Sequence, residues 1–160
     1  MDYPYELGPY SRKVTTTSAD AQRWFDRGLN WCFGYHHEEA VACFEKALAA
    51  DPDCAMAHWG VGYAAGPNYN FPWELMDPAG KAAALARSYD AARAALALVG
   101  TVTAPERALI EALPARYPQR DPIEDHVDPL VRVLRHPSIH ADAAVVNPAP
   151  GFSSRSQAGL

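Results

Sequence analysis

Apolar residues recur at helical spacing from residue 19 onward, in stretches separated by Gly, Pro and Asp. Trp24, Gly28 and Trp31 fall at i, i+4 and i+7, and Phe25, Leu29 and Cys32 form a second stripe beside them. This predicts a helix from Ala19 to Phe33 that needs cover on more than one side. Ser18 is placed to cap it, Asp20 suits its positive end, and Gly34 stops it. A second helix is predicted from His37 to Ala50. Ala40, Phe44 and Ala47 mark its inner face, with Val41 and Leu48 alongside. Pro52 cannot continue a helix interior, and Asp53 is placed to cap the next one.

The third helix is predicted over 54–65, where Gly66 and Pro67 end it. "PNYNFPWELMDP" follows, longer than an ordinary helix–helix connection. Asp77 and Pro78 restart the pattern as N-cap and first-turn proline. The fourth helix carries Leu85, Tyr89, Ala92, Leu96 and Val99 on one face and ends at Gly100. Thr103 with Glu106 three residues later is a capping-box pair, which predicts a fifth helix over 105–117.

Outside this block the character changes. Residues 1–18 are rich in Tyr, Pro and Thr and read as an extended arm lying over the helical domain, 19–118. From 119 to 160 the chain is proline-rich. Eight of the fourteen prolines lie between residues 105 and 150, and no lysine follows Lys81. The closing "NPAPGFSSRSQAGL" lacks the apolar content to fold. A truncated or frame-shifted reading would produce such a tail.

Helix, short turn, helix and a closing Asp-Pro fall within 34 residues from Ala21 to Cys54. This stretch resembles a tetratricopeptide repeat. Trp24, Gly28 and Trp31 match the first-helix motif; Ala40, Phe44 and Ala47 match the second; Pro52 matches the closing proline. Arg27 stands where the family usually has leucine. A second repeat would begin at Ala55. Val61 and Gly62 match it, His58 and Ala65 replace its aromatics, and Tyr89 and Ala92 take the second-helix roles after the insertion. From Leu7 to Tyr117 the chain is also similar to a group of bacterial tetratricopeptide-repeat proteins of uncertain function. The resemblance implies an all-α fold, a short helical-hairpin solenoid (an α–α superhelix) with a loop insertion in the second repeat. Hairpins of this kind stack because none buries its faces alone. The unpaired fifth helix would leave an apolar end open to self-association.

Composition narrows the partners. A net charge of −5 argues against a general nucleic-acid binder and against a polybasic membrane-surface protein. The N-terminal stretch has neither the basic start nor the apolar core of a secretion signal, and no run is apolar enough to span a bilayer. Three widely placed cysteines do not suggest a disulfide framework, so a cytoplasmic location is expected.

Two polar clusters and one apolar face carry the candidate chemistry. Cys32 with His36, and Cys54 with His58, are spaced i, i+4, and thiolate with imidazole suits zinc. In stacked hairpins, however, the two pairs are offset by about twelve residues, roughly 18 Å at the helical rise. No metal site and no cofactor are therefore expected, and the cysteines read as small hydrophobes. The resemblance implies a concave face lined by the first helix of each hairpin. Gln22, Phe25, Leu29 and Phe33, with Met56, Trp59 and Tyr63, would form an aromatic groove there for a peptide or protein partner, making the chain an interaction scaffold. The family's clamp for a peptide carboxylate uses Lys and Asn in that groove; Phe25 and Leu29 stand where they would help. The alternative site lies at one edge. His36 and His37 at the first turn would face the inserted loop with Asn68, Tyr69, Asn70 and Trp73, a set suited to a small polar or anionic ligand. Glu38 and Glu39 favour the positive end of the second helix. A His–Glu pair can do acid–base work, but no nucleophile is marked and no catalytic residue is assigned. His126, His136 and His140 in the tail receive no role.

Overall fold

The computed structural model describes residues 3–121, and their regular elements are all helical. Expectations for the tail, its histidines included, fall outside the described residues. Helix α1 spans Ala19–Phe33, and the Ser18 hydroxyl accepts a bond from the Ala21 N–H at 3.1 Å. Helix α2 spans His37–Ala50 and α3 spans Ala55–Ala65. Cys54, rather than Asp53, is the N-cap of α3, and it makes no side-chain cap bond. The Asp53 N–H is instead tied to the Asp51 carboxylate at 3.2 Å, which closes the turn after Pro52.

Helix α4 spans Pro78–Ala97 and begins as its sequence predicts, with the Asp77 carboxylate accepting from the Gly80 N–H at 2.8 Å. It stops short of Gly100, and a 3-10 turn over Val99–Thr101 follows. Helix α5 spans Ala104–Ala112 and tightens into a 3-10 turn over Leu113–Arg116. Pro114 accounts for the early stop, because it has no N–H to continue the α-helical ladder. Another 3-10 turn, Trp73–Leu75, lies within the long connection. Among the described residues no helix is long and apolar enough to cross a membrane.

The helices pack in chain order. α1 lies on α2, α2 on α3 and α3 on α4, while α1, α3 and α5 touch in series. One ring organises the first three. Phe44 is fully buried between two glycines on opposite neighbours. A Cβ on Gly28 of α1 would stand 2.5 Å from that ring, and one on Gly60 of α3 would stand 2.6 Å from it. Phe25 completes the contact at a ring separation of 5.4 Å. The α3–α4 pair is joined differently. A Cβ on Gly62 would lie 3.2 Å from the Ser88 carbonyl oxygen and 3.3 Å from the Ala92 nitrogen, so α4 meets α3 by its backbone. Tyr89 therefore does not take the place that Phe44 has in the first pair. It is half-buried, with the Arg93 guanidinium 5.0 Å from its ring.

Trp24 and Trp31 of α1 are half-buried, and the arm supplies part of their cover. Tyr3 meets Trp24 edge-on at 5.3 Å, and Tyr5 meets Trp31 at 5.3 Å. Arg27 has a positive role here, since its guanidinium lies 4.2 Å from the Tyr3 ring centre and 4.5 Å from that of Trp24.

Glu106 ties α5 to the arm. It is 3 % exposed, and its carboxylate accepts bonds from the backbone and hydroxyl of both Thr103 and Thr15. Burial alone would raise its pKa, but the hydrogen bonds from Thr103 and Thr15 outweigh that and hold it below the ordinary glutamate value. Burial raises the thiols of Cys43 and Cys54, and pushes Cys32 up to about 12.

Three outcomes are expected. Phe44→Ala should cost about 3–5 kcal/mol in denaturant unfolding through the cavity it leaves, and Gly28→Val should also destabilise by forcing the ring aside. Gly100→Ala, with nothing within 4 Å of its added methyl, should stay within about 0.5 kcal/mol of the parent; equal losses at Gly28 and Gly100 would refute the wedge. Because the Glu106 pKa is lowered on folding, its contribution is present above the ordinary glutamate range and is lost as pH falls through the lowered value. Glu106→Gln should therefore flatten the acid limb of a stability–pH curve. Native protein should resist thiol-specific labelling at neutral pH and react at Cys32, Cys43 and Cys54 only on unfolding; rapid native labelling would contradict their burial.

Candidate functional site

The seven residues of the expected concave groove do not form an open surface. Phe25, Leu29 and Met56 are buried in the core. Gln22 is engaged by the arm, accepting from the Val14 N–H at 3.0 Å and donating to the Arg12 carbonyl at 2.9 Å. The Trp59 indole N–H donates to the Leu109 carbonyl at 3.1 Å, and its ring stacks on Tyr63 at 5.1 Å. Phe33 and Tyr63 retain exposed rings, at 63 % and 41 %, and Phe33 packs edge-on against Tyr10. The physical reason is that helix packing draws Phe25, Leu29 and Met56 into the core, α5 takes the Trp59 indole, and the arm takes Gln22.

The open concavity lies elsewhere. A cleft of about 1040 Å3 is bounded by the first turns of α2, the end of α3, the inserted loop and the first half of α4. Of the six residues expected at this edge, His36, His37, Asn68 and Asn70 line it. Tyr69 is 93 % exposed and is not part of the lining. Trp73 is buried with Leu85, Ala92, Leu113 and Tyr117, so it anchors the loop instead of facing the cleft.

The loop is braced at both ends. The Asn68 side-chain oxygen accepts from the Asn70 N–H at 2.9 Å and the Phe71 N–H at 3.0 Å, and the Asn68 and Phe71 backbones bond each other in both directions at 3.2 Å. At its base the Arg116 guanidinium donates to the Pro67 carbonyl at 3.1 Å. The Tyr117 phenol occupies the space where a side chain on Gly66 would begin.

The histidines enter the cleft from the α1–α2 turn. His36 is the N-cap of α2 without a side-chain cap bond, so its own side chain does not cover the first-turn N–H groups of that helix. Its ring lies edge-on to Trp31 at 5.2 Å. The Nδ1 atom of His37 is buried and has no hydrogen-bond partner. Burial lowers the His37 pKa, which keeps the ring neutral at physiological pH.

Several lining residues have no local sequence signal. Arg87 of α4 reaches across to Glu45 of α2 as an ion pair, although the two stand 42 positions apart. Phe71 and Asp77 also line the cleft, as do Glu38 and Glu39. Tyr35 is the least expected. The left-handed turn residue is Tyr35, with φ of 62°, while Gly34 keeps an ordinary φ of −82°. That conformation costs a tyrosine on the order of 1 kcal/mol, and its ring is 64 % exposed at the cleft mouth. Only the general rule that a glycine ends a helix was available from the sequence, and it points one residue too early.

The cysteine–histidine pairs are engaged separately. His58 Nε2 lies 2.9 Å from the Pro52 carbonyl oxygen, and Cys32 and Cys54 are buried thiols. Among the described residues, no three His, Cys, Asp or Glu side chains converge as metal ligands. Comparison with protein-family models, with curated proteins and with solved structures gives no match to this chain.

Proposed function

We propose that the chain is a binding module built from tetratricopeptide-type helical hairpins, with the cleft between α2, α4 and the inserted loop as its working site. The motif residues Gly28 and Phe44 in direct contact, and the serial packing of α1, α3 and α5, support the hairpin reading. The observation that carries the choice of site is the unpartnered, buried Nδ1 of His37 on the wall of an open cleft of about 1040 Å3. A polar atom left so is satisfied by a ligand that brings its own donor or acceptor. Asn68, Asn70 and the uncapped start of α2 supply further polar contacts, and Tyr35 and Phe71 supply flat apolar surface. The ligand class this suits is a small polar molecule or a short polar peptide segment. The role proposed is binding.

A partner protein docked on α1 is the second reading. It retains one specific support, the exposed Phe33 ring paired with Tyr10 at the end of that helix.

Fragment screening by amide chemical-shift perturbation separates the two. Polar fragments should perturb residues 36–39 and 66–71 together, and His37→Phe should weaken their binding about tenfold, the loss expected for one buried hydrogen bond. Hits confined to the Phe33–Tyr10 surface, or hits unaffected by His37→Phe, would overturn the cleft assignment.

A further inference from the structure

The arm is attached to α1 by a regular ladder, and that ladder reads only backbone. In order along the helix, Gln22 bonds both the Val14 N–H (3.0 Å) and the Arg12 carbonyl (2.9 Å). Asp26 accepts from the Arg12 N–H (2.9 Å), and Asn30 donates to the Tyr10 carbonyl (3.1 Å). The spacing explains the regularity. Helix residues four apart rise about 6 Å, and alternate residues of an extended strand repeat at roughly 6.5 Å. Positions 22, 26 and 30 therefore meet positions 14, 12 and 10 in antiparallel order without strain. The ladder is also pre-oriented, because Gln22 and Asn30 each bond Asp26, at 3.1 Å to its carboxylate and 2.8 Å to its carbonyl.

Side-chain selection is strongest at Val14 and Thr15. Val14 is 3 % exposed in the core, and Thr15 gives both its N–H and its hydroxyl to Glu106 at 2.7 Å. Ser11 adds a hydroxyl bond to Asp26 at 2.7 Å. Arg12 and Lys13 are exposed, so the ladder does not select for them.

We infer that this face of α1 is a docking site for an extended peptide strand, occupied in the resting chain by the protein's own residues 10–15. Its external ligand is a peptide that presents an aliphatic residue followed by threonine or serine in an extended conformation. The resident arm is tethered through the three residues Thr16–Ser18, which gives it an effective concentration on the order of millimolar. An outside strand of the same chemistry thus binds only when the arm is released. This surface is separate from the cleft, and the inference does not rest on the function proposed for that cleft.

The test uses the full chain and a fluorescent peptide copying residues 9–17, PYSRKVTTT. Arg12→Pro removes one ladder N–H at an exposed arm position and leaves the helices untouched; Val14→Asp removes the buried anchor. Hydrogen exchange should show lost protection at the Val14 position and Thr15 in both variants, with helical circular dichroism retained in Arg12→Pro. By fluorescence anisotropy the released variants should bind the peptide at least tenfold more tightly than the parent chain, and a peptide with Asp in place of its valine should not bind. A folded Arg12→Pro variant with an unprotected arm that fails to bind the peptide would overturn the inference, as would equal binding to parent and variants. Should Val14→Asp unfold, Arg12→Pro alone decides between these outcomes.

Discussion

The Phe44 ring stands where α1, α2 and α3 meet, and its thickness sets their separation. Glycine on each side allows two backbones to approach it where any side chain would hold them off. Ala40 and Ala47, one turn before and after it on α2, are small and fully buried, so the neighbouring helices can lie flat against the same face. The next junction uses backbone against backbone at Gly62, and the last uses the Tyr117 phenol over Gly66. Three glycine-based contacts thus carry the packing from α1 to the inserted loop.

Those contacts determine where surface is left over. The close meeting of α1 and α3 at Phe44 brings Phe25 and Met56 inward, leaving Gln22, Asp26 and Asn30 as a polar edge that the arm covers. Between α2 and α4 the loop intervenes, and its own turn at Asn68 and its anchor at Trp73 hold the two helices apart at that edge. One ion pair, Glu45 with Arg87, spans the opening. Both ends of that pair are about half exposed, so it adds little stability and serves chiefly to define one wall.

How much of this was legible in the sequence depended on range. Helix boundaries followed from local chemistry: Ser18, Asp77 and the Thr103–Glu106 pair each act within three residues of where they stand. The shared edge of His36, His37, Asn68 and Asn70 also followed, because it needs only alternation of helix ends. Contacts set by tertiary accommodation did not. The aromatic groove was read from faces alone, whereas core packing takes Phe25, Leu29 and Met56, and the arm bonds to Gln22 through backbone groups that leave no mark in residue type. Trp73 looked like a ligand contact because it lies beside asparagines, whereas burial decides its direction. Tyr35 and Arg27 take positions that propensity alone would give to other residues, and neighbours far along the chain explain Arg27.

The bond from Thr15 to Glu106 joins residues 91 positions apart. The helix hairpins rest on contacts between consecutive elements, which close short loops and form early. The arm precedes the helices in the chain, yet its far anchor belongs to the last helix described. During synthesis its bonds to α1 can form early, but the Thr15–Glu106 contact waits until almost the whole helical block has emerged. At this one seam the order of assembly is the reverse of the order of the chain, and the strand that precedes the helices makes the contact that closes them.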